Sequence, residues 1–144
     1  MKRISELALL IIGSMATCSG AIGQQAAIKA NIPFDFTVGN TWMPAGEYTI
    51  SSPLQQVVQL RSANLAKTAT IVSSQSFHES TSGSELVFDK YGDQYFLHRV
   101  ECPSIASLNL DVPQGKAEKQ ARTRSLEAKL HSGEEVLVAA NAGK

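Results

Sequence analysis

Cysteine is the first thing this chain has little of. Its 144 residues hold two cysteines, Cys18 and Cys102, too few for the bridged frameworks that hold small secreted domains together. It also lacks a charge surplus. The 13 Lys and Arg stand against 13 Asp and Glu, so no global basic field draws the chain to nucleic acid or to anionic membranes. Histidine is scarce, with His78, His98 and His131 at no H-x-H or H-x-x-x-H spacing. A metal centre on them would need further ligands from acidic residues at unconstrained separations, so no metal and no cofactor is expected. No G-x-S-x-G elbow and no S-x-x-K at a helix start occurs, which excludes the common serine-nucleophile arrangements. The nearest acidic pairs, Glu134 with Glu135 and Asp89 with Asp93, read as solvated charge rather than carboxylates facing across a cleft. With no catalytic set, the chain is expected not to be an enzyme.

What is present begins with an export signal. Lys2 and Arg3 form a positive start, Leu7 to Ile12 is an unbroken apolar run, and Ala21-Ile22-Gly23 supplies small residues at a cleavage site. The apolar run is too short for a membrane span, so residues 1–23 are expected to be a cleaved signal peptide, with Gln24 as the new N-terminus and a secreted or periplasmic product. A lipid-modified Cys18 would want Gly or Ala before it, and Thr17 stands there instead. Cleavage would leave Cys102 alone, so no intramolecular disulfide is expected in the mature chain. It would also leave a net charge of about −1. Residues 24–144 are expected to form a single β-rich domain, large enough to fold on hydrophobic burial. Cys102, beside Pro103, is expected to be a small buried residue rather than a nucleophile.

The first mature segment alternates without a fault: Ile28, Ala30, Ile32, Phe34, Phe36 and Val38 on one side, polar residues and Pro33 on the other. This is the pattern of a half-buried strand. Pro33 removes one ladder donor, so the strand is expected to lie at an edge or to switch partners there. Gly39-Asn40 turns the chain, Met43-Pro44-Ala45-Gly46 makes a second turn, and Glu47 to Ser51 follows with Tyr48 and Ile50 facing the core. Further strands are expected over Gln56 to Arg61, over Lys67 to Phe77 with an exposed second half, and in the hairpin ELVFDK and QYFLHRVE around Tyr91-Gly92-Asp93. Leu108, Leu110 and Val112 make one more alternating run. The pattern changes only at Lys116 to Leu130, which is rich in good helix formers and carries a thin apolar stripe of Ala117, Ala121, Leu126 and Leu130. A surface helix over about 116–130 is expected, with a last strand over about 135–140. The fold class is therefore mainly β, an antiparallel sandwich or open barrel with one C-terminal surface helix.

With the strands placed, three pieces in order, Ile32 to Gly39 (IPFDFTVG), Met43 to Ile50 (MPAGEYTI) and Phe88 to Leu97 (FDKYGDQYFL), resemble a family of small exported bacterial proteins of unknown function. The resemblance covers about residues 28–100. It implies export and a β-rich fold, and it transfers no activity and no catalytic residue. The shorter string PAGEYTI is similar to the turn-into-strand of prealbumin-like β-sandwich modules, a likeness of fold only.

Two features remain as candidate partner or ligand contacts. Lys116, Lys119, Arg122 and Arg124 gather cations on one helix of an otherwise neutral protein, which suits an acidic partner. Trp42, the only tryptophan, is expected on the connection between two strands, and with Tyr91 offers an aromatic face for a sugar ring or a partner. The expectation is an exported, non-enzymatic interaction module of the envelope or extracellular space. The alternatives are a small-molecule or glycan binder using loop aromatics, and a metal-dependent cupin-like enzyme with His78 and His98 on the metal.

Overall fold

Pro33 organises the first part of the fold. A computed structural model describes residues 26–78, 83–128 and 134–142; the expected signal peptide, Cys18, Lys129, Leu130 and His131 lie outside the described residues. Strand β1 (Ala27–Ile32) buries Ile28, Ala30 and Ile32 and exposes the residues between them. The proline then breaks the strand, because it cannot donate to a ladder. Phe36–Val38 resumes as β2 with different neighbours. On one side of β1 lies β4 (Gly46–Ser51), paired from Ala27↔Ser51 to Ile32↔Gly46, and on the other lies β11 (Glu134–Ala142). The edge position expected for β1 is therefore incorrect, since its second side is closed by a strand more than a hundred residues away in the chain. The partner switch at Pro33 is what occurs. β2 pairs antiparallel with β3 (Thr41–Met43) and touches β9 (Gln94–Glu101) in parallel at Thr37↔Phe96.

From β4 the sheet continues through β5 (Val57–Ser62) to β6 (Thr68–Val72). The β5–β6 turn is fastened by Asn64, whose Oδ1 accepts from the Ser62 hydroxyl at 2.8 Å and from the Ala66 N–H at 3.1 Å. Past Ser73 the chain runs into β7 (Ser74–Gln75), which pairs with β10 (Leu110–Asp111), and β10 pairs in turn with β9. β8 (Glu85–Tyr91) joins β9 in the expected hairpin and carries β11 on its other side. The path β9-β8-β11-β1-β4-β5-β6, continued through β7 and β10, leads back to β9, so the sheet is a nearly closed, barrel-like one. Leu108 belongs to a 3₁₀ turn, Ala106–Leu108, rather than to a strand. The second half of the run 67–77 is mixed: Ser74 and Gln75 are exposed, while Ser73 and Ser76 are buried.

Side chains fill the interior. Ile28, Phe36, Tyr48, Leu60, Phe88 and Leu97 are each at most 1% exposed, and burying a side chain of this size stabilises by about 1.5–3 kcal/mol. The Phe36 ring meets Tyr48 edge-on at 5.2 Å and Phe88 at 5.4 Å. Phe34 is only partly buried and stacks on Tyr95 at 3.9 Å. Cys102 is fully buried, as expected, and accepts a hydrogen bond from the Ser84 hydroxyl at 3.2 Å.

The hairpin β8–β9 carries a bulge. Phe88 pairs with Leu97 and Val87 with Arg99, which leaves His98 as the extra residue. The bulge breaks the alternation expected of β9: Val100 and Leu97 join the core, whereas Phe96 belongs to a second, small cluster with Tyr91 and Ala121. Helix α1 (Lys116–Glu127) supplies that alanine and lies over β8.

Candidate functional site

The helix is held where two glycines meet. Gly115 caps α1 without offering a side chain, and the cap is supplied from far away: Asn40 Oδ1, in the β2–β3 turn, accepts from the Lys116 N–H at 3.0 Å. Gly39 takes φ +59°, a backbone region that favours glycine. A Cβ on Gly115 would fall on the Gly39 carbonyl oxygen, so the helix start sits directly against the turn.

The buried face of α1 is Glu118, Ala121 and Ser125, spaced three and four apart. This corrects the stripe expected from the sequence, because Ala117 is exposed and Leu126 is 53% exposed. Glu118 is 3% exposed, and its Oε1 has no hydrogen-bond partner among the described residues. Burial is the main force holding its carboxyl up at about 7. The charge of Asp89 adds to that, while a hydrogen bond with Gln114 and the Arg122 guanidinium pull the other way. Asp89 in turn lies with its Oδ2 3.3 Å from His98 Nδ1. Tyr91, expected as a contact on an open turn, is buried under α1 at 8% exposed. Burial raises the pKa of its hydroxyl above the usual 10.0, helped by Asp89 and Glu118 and opposed by Arg122.

Turning Glu118 inward changes the outer face. Lys116, Lys119, Arg122 and Arg124 are all exposed, and Glu127 is the one exposed carboxylate among the helix residues. Lys119, Gln120, Thr123 and Arg124 border an open depression of about 320 Å³. A second groove of about 320 Å³ runs along the other side of Arg124, between the helix and the Tyr91 to Gln94 turn. Arg124 therefore stands on the ridge between two recesses.

Trp42 lies in β3, not on a connection, and its ring is half exposed at 52%. The Lys67 ammonium sits 5.5 Å from the ring centre, a cation–π contact. Beside it is a groove of about 190 Å³ lined by Pro44, Tyr48, Asn64 and Lys67 among others. The hairpin β2–β3 thus presents Trp42 on its second strand and caps α1 with its turn, which ties the aromatic candidate and the basic candidate to one element. Gly39-Asn40 was read from the sequence only as a turn, and its hold on the helix start, with Gly115 and the buried Glu118, escaped sequence reasoning. The only signal for Glu118 was its place on the Ala121 face, three residues before that alanine.

His98, one of the two histidines considered for a metal, faces Asp89. Among the described residues, no group of three or more His, Cys, Asp or Glu could hold a metal ion. No described helix is long and apolar enough to cross a membrane. Comparison with protein-family models, with curated proteins and with solved structures finds no match.

Proposed function

We propose that this protein is an exported, non-enzymatic β-domain that binds an acidic polysaccharide of the cell envelope or extracellular space. The observation that carries the reading is the outer face of α1, where four cations face solvent with a single exposed carboxylate while the helix's other acid is buried. The packed interior supports it too, because a barrel filled by Tyr48, Phe36 and Phe88 leaves recognition to the outside. Charge complementarity selects a polyanion. The exposed Trp42 ring, held by the same hairpin that caps α1, favours a sugar chain among polyanions, since an amphipathic aromatic face stacks on pyranose rings. Export rests on Lys2, Arg3, the Leu7 to Ile12 run and Ala21-Ile22-Gly23.

Calorimetric titration with polygalacturonate tests this at low and at physiological salt. Binding is expected at low ionic strength, weakening as the screening length falls to about 8 Å. The double variant Lys119→Glu, Arg124→Glu should lose at least tenfold in affinity, and Trp42→Ala should weaken binding without changing its salt dependence. Equal binding by the double variant, or no binding at any salt, overturns the reading.

A further inference from the structure

The contact between α1 and the barrel is unusual in what it buries. Its apolar part is small: Ala121 packs on Tyr91 and Phe96, whose rings stand 6.0 Å apart. The rest of the buried face is a serine and a carboxyl. A carboxylate buried without full pairing is costly, so a group in such a place neutralises instead. Around Glu118 the charged and titratable groups are Asp89 and Tyr91 from β8 and Arg122 from α1 itself, with Gln114 as hydrogen-bond partner just before the helix. His98 from β9 engages Asp89 rather than Glu118. Among the described residues the cation that acts on Glu118 is Arg122, and it is exposed to solvent.

We propose that α1 is a proton-operated latch: it docks on β8 with Glu118 neutral beside Asp89, and loosens when both carboxyls carry charge. The attachment at Gly115 and Asn40 holds the N-terminal end, so loosening frees the Ala121 to Ala128 end from β8 while the β2–β3 turn keeps its hold. In its consequence for ligand binding the inference rests on the reading of α1 as the docking surface. In its conformational part it stands without that reading.

The direction follows from linkage. Docking raises the Glu118 pKa from 4.5 to about 7, so the docked state holds a proton that the released state gives up. Docking is strongest below about 4.5 and weakens as pH rises towards about 7, by up to tenfold per pH unit. Above that window the penalty is constant.

The test uses the mature full-length protein and nuclear Overhauser contacts from the Ala121 methyl to the Tyr91 and Phe96 rings, followed from pH 5 to pH 8.5. These contacts should fade as pH rises, while cross-strand contacts within the β8–β9 hairpin persist. Glu118→Gln, which is neutral at every pH and keeps the shape, should hold the contacts throughout. A wild-type contact that survives unchanged to pH 8.5, or an identical pH profile in Glu118→Gln, overturns the latch. Asp89→Asn removes a charge that helps hold the Glu118 carboxyl up, so the contacts should fade less by pH 8.5, and a profile indifferent to it also counts against the mechanism. Polygalacturonate titrations at pH 5.5 and 7.5 form a separate arm: failure to bind at both overturns the docking-surface reading and leaves the latch standing on its spectra.

Discussion

Replacing Gly115 by alanine adds one methyl group, and the structure says what that methyl meets. The residue caps α1 with φ −80° and ψ 174°, an extended backbone that any amino acid adopts. Conformational preference therefore asks for nothing, and space asks for everything. The added carbon would land on the Gly39 carbonyl oxygen, 2.6 Å from its carbon and 2.7 Å from Asn40 Oδ1. Two of these atoms are backbone, and Gly39 is fixed in turn by its left-handed turn and by Ile71 lying where its own Cβ would point. The helix must back away from the turn. Overpacking of this kind costs about 1–3 kcal/mol, and the lost Lys116–Asn40 bond adds about 1 kcal/mol. The cheapest relief is local, because the apolar part of α1's hold on the barrel is small, Ala121 against Tyr91 and Phe96. Amide protection over residues 116–127 is expected to fall by about 30-fold or more, the equivalent of 2 kcal/mol, while β8 and β9 keep theirs. Gly92→Ala is the control: its φ of +63° makes alanine strained, but nothing lies within 4 Å of the added carbon. It should cost about 1 kcal/mol globally and leave helix protection relative to the barrel unchanged. If Gly115→Ala exchanges its α1 amides like the wild type, the close approach and the reasoning built on it are wrong.

Two further outcomes can be measured directly. Arg99 is largely buried with its Nε 2.7 Å from Glu101 Oε1, close in charge although outside hydrogen-bond geometry, and its Nη2 3.5 Å from the exposed Glu135. Arg99→Ala strands the buried Glu101 and should cost about 3 kcal/mol in urea unfolding, whereas Glu135→Ala should cost less than about 1 kcal/mol; equal costs would contradict the burial difference. Cys102 is fully covered and bonded by Ser84, so a thiol reagent should label it only in denaturant, and rapid labelling of the folded protein would refute its placement.

Local patterning carried much of this fold. Alternation over Ile28 to Val38 named residues that are buried, apart from the partly buried Phe34, and Gly39-Asn40 and Tyr91-Gly92-Asp93 placed the turns correctly, because period-two burial and turn chemistry act over a few residues. Long-range pairing was another matter. Whether β1 is an edge depends on β11, and barrel closure depends on two-residue strands at Ser74–Gln75 and Leu110–Asp111; both lie inside runs read from the sequence, but strands so short carry no sign of which partner they take. Trp42 was set on a connection because Thr41–Met43 is three residues between two turn signals, and it is a strand only through its pairing with β2. The candidate site was half legible. Its cations were named from sequence, but the face of α1 was misjudged because hydropathy placed Leu126 inward and Glu118 outward, and the contact does the opposite.

That reversal explains why one helix carries both the basic surface and the latch. An amphipathic helix normally fastens itself with a broad apolar stripe, and a leucine in place of Glu118 would contribute about 1.5–3 kcal/mol of pH-independent attachment. Leu126 is available on the same helix and is left in solvent, so the attachment is not limited by a shortage of apolar side chains. With Glu118 inside, the outer face loses its balancing carboxylate and gains in positive field. The inner face meanwhile acquires a group whose charge depends on pH near neutrality. Both effects come from one rotation of the helix about its axis. The orientation itself is set at the N-terminus, where the Gly39–Gly115 approach and the Asn40 cap leave Lys116 one way to start. From there the 3.6-residue period fixes which side Glu118 faces, so the electrostatics of α1 are decided by packing at a turn 76 residues earlier in the chain.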